Sequence, residues 1–188
     1  PRSGSAPMHV VYVSPTSFPN DRAHSVQISH TCHALAKLGV NVSLYVNVMT
    51  RPSVDACMDF YALDVPDTLS VRAIGNPARL GRLKKLDRFL FNARFKHVCR
   101  AARGQDDAFV YTRGARGVEL LRRLPREPGW PYLILEAHKL LFVDAQDRSK
   151  PRRKVRQIRS LEARVFGKVH GIASISDGVA REIVRGFN

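Results

Sequence analysis

Residues 9–46 read HVVYV (9–13), SPTSFPNDRAHS (14–25), VQISHTCHALAKLG (26–39) and VNVSLYV (40–46). The first block is a near-continuous apolar run of the length of a buried strand. The third carries Ile28, Cys32, Leu35 and Leu38 close to helical spacing, with Gly39 as a stop. The fourth alternates Val40, Val42, Leu44 and Val46. This order predicts a strand over 9–13, a helix over 24–38 and a strand over 40–46. Between them lies a polar, glycine-free loop over 14–25, long for a strand-to-helix connection. It hangs from the carboxyl end of the first strand, where open α/β sheets place their ligands. Pro15 and Pro19 stiffen it, and Asn20 or Asp21 can cap the helix. Arg22 and His24 then stand near a helix N-terminus, whose N–H groups favour an anion. A capped surface loop with a solvated arginine is the plain alternative.

The same alternation continues along the chain. Residues 51–69 are ambiguous, with room for a short helix followed by a turn at 64–67. Strands are predicted over 69–74, 108–112, 132–136 and 171–174. Helices are predicted over 80–102, 117–123, 152–165 and 177–185, the last capped by Ser176. Strands alternating with helices imply a parallel sheet covered on both faces, and right-handed crossovers make it a doubly wound α/β sheet. Residues 8–188 are expected to form one domain, with 1–7 as a tag-like leader.

Composition narrows the function classes. The chain has 188 residues, 44% of them hydrophobic, enough to bury a core. No apolar run approaches the ~20 residues that span a bilayer. Three cysteines, none in a CxxC, suggest reduced thiols and a cytoplasmic protein. The net charge of +15 is concentrated in two segments. Residues 79–103 hold nine basic residues against Asp87, and residues 148–168 hold nine against Glu162. Lys84, Lys85, Arg88, Arg152, Arg153 and Lys154 are the candidate surface for an anionic membrane or polyanion. The helix over 80–102 places Phe91, Phe95, Val98 and Ala102 on one side and basic residues opposite. That pattern suits an interfacial helix and equally a helix docked on a sheet. No nucleic-acid module is present, and the few aromatics sit on apolar faces rather than among basic residues, so nucleic acid is not an expected partner. His30 and His33 share a helix face, but no third ligand or CxxC joins them, and no metal is expected.

Two further strands end in polar residues. LILEAH (133–138) closes an apolar strand with Glu136 and His138, a costly arrangement unless the charge is paired or faces a cleft. YTRG (111–114) puts Arg113 after another strand, beside Gly114, where it can reach an anion bidentately.

Taken with SPTSFPNDRAHSVQ and GIASISDGVAREI (171–183), these segments resemble, in order, the N-terminal half of a GT-B glycosyltransferase. The similarity is more narrowly to the retaining family 4 enzymes. The resemblance implies a Rossmann-like, acceptor-side domain that transfers a sugar from a nucleotide sugar to a glycan or lipid-linked acceptor. It implies no metal or resident cofactor. The donor nucleotide would be bound mainly by a C-terminal domain that the chain does not contain, leaving it inactive alone. His138 would then face the donor sugar, hydrogen bonding to it and supporting developing charge. Ser14, Arg22, His24, Ser25, Arg113 and Glu136 would bind substrate. The first loop departs from many such enzymes: Asp21, Arg22, Ala23 and His24 stand where a glycine pair is common, so close contact of this loop with donor phosphates is not expected. The resemblance also suggests docking to the inner face of the cell membrane through the basic segments. The alternative is a non-catalytic basic Rossmann-like module that docks on a membrane or polyanion.

Overall fold

A computed structural model describes residues 8–75, 84–103, 107–124 and 130–187, apart from the side chains of Lys84 and Lys85. The expected leader over residues 1–7 lies outside the described residues. Six strands form one sheet in the order β3-β2-β1-β4-β5-β6. They are β1 (His9–Phe18), β2 (Asn41–Met49), β3 (Leu69–Ala73), β4 (Ala108–Arg113), β5 (Tyr132–Ala137) and β6 (Gly171–Ser174). The helices are α1 (Ala23–Lys37), α2 (Val54–Asp59), α3 (Lys84–Ala101), α4 (Gly114–Leu121), α5 (Leu141–Asp147), α6 (Arg152–Phe166) and α7 (Asp177–Phe187). This is the doubly wound, Rossmann-like α/β fold, its strand order running outward from β1 on either side.

The chain divides into two compact units within β4. One holds β1–β3 and α1–α3; the other holds α4–α7, β5 and β6. In the first unit, β1 pairs in parallel with β2 from His9↔Asn41 to Phe18↔Met49, and β2 pairs with β3 from Val42↔Leu69 to Val46↔Ala73. Val10, Val11, Tyr12 and Val13 are all buried, as a strand covered on both faces requires. From α1, Ile28, Cys32 and Ala36 are buried, and from α3, Phe91, Phe95 and Val98. Leu38 caps α1 and Gly39 follows at φ +82°, the left-handed position that ends a helix. In the second unit β5 pairs in parallel with β6, from Ile134↔Gly171 to Ala137↔Ser174. No residue of α7 is fully buried. Ser176 accepts a hydrogen bond from the Val179 N–H, capping α7 as expected.

The long loop over 14–25 is largely strand. After a register shift between Ser14 and Ser17, β1 resumes pairing with Ser17↔Val48 and Phe18↔Met49. Only Pro19–Arg22 connects it to α1. The sequence SPTSF hides this because it has no apolar alternation and carries Pro15, a residue tolerated at a bulge but not in a regular ladder. Asn20 does not cap α1 directly. Arg22 is the cap residue and its side chain makes no capping bond, while the Asn20 side chain accepts from the N–H of Arg22 itself.

Candidate functional site

The polar residues that end β4 and β5 meet in the second unit. Arg113 is the last residue of β4 and the residue before α4. Gly114, at φ +59°, turns the chain directly from strand into helix, a conformation that favours glycine. Three residues on, a Cβ at Gly117 would lie 3.0–3.1 Å from Thr112 and Leu135 side-chain atoms. The missing side chain lets α4 sit close against the strands that carry the site.

Glu136 is buried, with a side chain 8% exposed, and His138 follows the strand end at 27%. His138 Nε2 lies 2.7 Å from Glu136 Oε1. Arg113 Nη2 lies 3.4 Å from His138 Nδ1, and Arg113 Nε lies 3.7 Å from Glu136 Oε1. Arginine can only donate and a carboxylate can only accept, so these partners assign the imidazole proton to Nε2. Arg113 donates to Nδ1, and Nε2–H donates to Glu136. The result is a charge-compensated set of three side chains. It answers the cost of placing Glu136 at a buried strand end.

The first-loop residues are in the first unit and fall into two groups. Ser14 and Ser25 are buried. Ser14 Oγ lies 2.9 Å from Thr16 Oγ1, and Ser25 Oγ lies 2.6 Å from the Tyr61 hydroxyl. These two serines therefore hold the loop rather than face solvent. Arg22 is exposed and His24 half-buried. The organiser is Tyr61, which the sequence does not single out. Its hydroxyl accepts from the Asn20 N–H at 2.9 Å and donates to the Asn20 carbonyl at 2.8 Å, and its ring packs against Phe18 at 5.7 Å. Nearby, His33 pairs with a carboxylate. Its Nε2 lies 2.7 Å from Asp64 Oδ1, and Lys37 donates to Asp64 Oδ2. Lys37 first, then His33, hold the Asp64 carboxyl at about 2. Cys32, Cys57 and Cys99 are all buried, and burial pushes the Cys99 thiol up to about 12.

The basic surface is only partly described. Lys84 and Lys85 lie outside the described side chains, and Arg88 is exposed. Arg152, Arg153 and Lys154 are exposed and occupy the first turn of α6, which has no acidic residue to offset them. Glu162, the lone acid of that helix, is turned inward. Its two oxygens accept the Leu141 N–H at 2.6 Å and the Phe142 N–H at 2.9 Å. Those are the first amides of α5, whose own cap residue, Leu140, supplies no side-chain bond. The signal was present in the sequence as one acid among nine basic residues. No helix among the described residues is long and apolar enough to cross a membrane. No family profile and no curated protein matches the chain.

Proposed function

We propose that the chain is the acceptor-side domain of a retaining, metal-independent GT-B glycosyltransferase that draws on a nucleotide sugar. The observation that carries this reading is the Arg113–His138–Glu136 set at the carboxyl ends of β4 and β5, the edge of an open sheet where ligands bind. A sugar hydroxyl donates and accepts at once, and this set alternates donor and acceptor groups in the same way. The Arg113 contact with His138 Nδ1 is long, at 3.4 Å; a donor-sugar hydroxyl that takes its place hydrogen bonds to His138, which steadies charge that develops as the glycosidic bond breaks. Glu136 and Arg113 fix its tautomer and ring plane. Arg22 and His24 contribute to the acceptor side, and a second domain outside these 188 residues supplies most of the nucleotide contacts.

The test is transfer of labelled sugar from a panel of nucleotide sugars by the gene product extended beyond Asn188. His138→Ala should lower kcat by about ten- to a hundredfold, the worth of a charge-assisted hydrogen bond of about 1.5–3 kcal/mol. The chain alone should show no turnover. Wild-type rates in His138→Ala would remove the assigned role.

A second reading, docking on an anionic membrane without catalysis, is favoured by the start of α6. Cations in a first helical turn oppose the helix dipole at about 0.3–1 kcal/mol each. Arg152, Arg153 and Lys154 accept that cost and concentrate positive potential at one end of the helix. On α3, Leu86 and Phe89 are 41% and 63% exposed. Reversing all three α6 charges to Glu should weaken sedimentation with phosphatidylglycerol vesicles by at least about a hundredfold, at roughly 1 kcal/mol for each cation lost. Unchanged retention in the triple variant would exclude docking through α6.

A further inference from the structure

At the other end of α6 lies a pocket that the sugar-transfer reading does not use. It has a volume of about 430 Å³ and is lined by Arg122, Leu161, Ala163, Arg164, Gly167 and Lys168. Lys168 and Gly167 precede β6, so the pocket adjoins the amino ends of the strands, whereas Glu136 and His138 stand at the carboxyl end of β5. The geometry points to a binding site for a phosphate monoester. Three of the six lining residues are cations, and none is a carboxylate among the described residues. The Lys168 ammonium is fixed by donating to the Arg122 and Leu124 carbonyls, both at 3.0 Å, at the carboxyl end of α4. The Arg164 Nε donates to the Ser160 carbonyl at 3.2 Å, which anchors the root of its guanidinium and leaves both terminal nitrogens outside that bond. Arg122 is loosely paired, 3.7 Å from Glu119.

Three positive groups carried on separate backbone positions suit a tetrahedral anion, which takes donors from several directions. A carboxylate needs only one bidentate arginine. Gly167 leaves one wall without a side chain, and Leu161 and Ala163 make another wall apolar. The ligand is therefore a phosphate with a carbon body attached, and the volume falls within the range of small-molecule sites. That chemistry is shared by a soluble sugar phosphate and a phosphatidic acid headgroup.

The test is titration of the 188-residue chain with inorganic phosphate at low salt, read from amide chemical shifts. One saturable site is expected, with shifts centred on Arg122, Gly167 and Lys168. Arg164→Gln, an exposed position whose loss should not disturb folding, should weaken the site about tenfold or more. Arg153→Gln, at the far end of the same helix, should change it less than twofold. Shifts that fail to saturate, or equal weakening by the two variants, would overturn the site, because both mean diffuse attraction to a basic helix. Phosphatidic acid vesicles separate the sources. Retention lost in Arg164→Gln assigns the lipid headgroup. Free phosphate bound at this site with vesicle retention unaffected by Arg164→Gln assigns the soluble ligand.

Discussion

Gly75→Ala should destabilise the first unit by about 3 kcal/mol, a large effect for one methyl group. Gly75 follows β3, and its N–H donates to the Asn47 carbonyl of β2 at 2.7 Å. A Cβ there would lie 1.9 Å from Asn47 Oδ1 and 2.2 Å from the Asn47 carbonyl oxygen. The side-chain oxygen can rotate away, but the backbone oxygen cannot without opening the ladder. The same turn is held from the other side by Arg94, whose Nη1 donates to the Ile74 carbonyl at 2.8 Å and the Gly75 carbonyl at 2.6 Å. Overpacking, a strained ladder bond and a disturbed arginine clamp act together. A shift of 3 kcal/mol lowers Tm by about 6–12 °C in a chain of this size. Amide exchange at Ile74 and Gly75 should rise more than at β5. A melting temperature within about 2 °C of wild type would show that the turn relaxes freely.

The sequence made the sheet legible because its signal is local. Val10–Val13, the alternation from Val42 to Val46, and LILEA are strands for reasons contained within five or six residues. The helices α1, α6 and α7 are equally readable, and so is the short strand Gly171–Ser174. What escaped depended on distant partners. The second half of β1 is a strand only because β2 extends to Met49 beside it. Helix α5 has no local signal because no residue in it marks a start, its cap being Glu162 from another helix. At the candidate site, composition indicated Arg113, Glu136 and His138, but only folding joins residues 25 positions apart at 3.4 Å. Ser14 and Ser25 looked like loop hydroxyls for a substrate, yet they are buried among their own neighbours. Tyr61 was invisible because its function there is to hold a backbone segment 41 residues away.

Glu162→Leu should cost about 2–5 kcal/mol, because it strands two buried amide donors rather than one. The Leu141 and Phe142 N–H groups open α5 and have no partner within the helix. Leucine would fill the volume and offer no acceptor. Glu162→Gln keeps one acceptor oxygen and should cost about half as much. The two variants together separate lost packing from lost capping. The pH dependence fixes the electrostatic part. Burial pushes the Glu162 carboxyl above its ordinary 4.5, and the two backbone bonds pull it back only in part. The folded chain therefore retains a proton that the unfolded chain has released. The contribution of this group to stability is complete below about pH 4.5 and is lost as the pH rises through the raised folded value. Glutamine does not titrate, so the stability gap between wild type and Glu162→Gln should be widest in acid and narrow as the pH rises. A gap that widens with pH in urea unfolding would mean that the two amides favour the carboxylate over the acid. The consequence reaches the site, because α5 begins at Leu141, three residues after His138. On the proposed sugar-transfer reading, Glu162→Leu should also lower transfer by the gene product extended beyond Asn188 under conditions where it remains folded, while Glu162→Gln lowers it less.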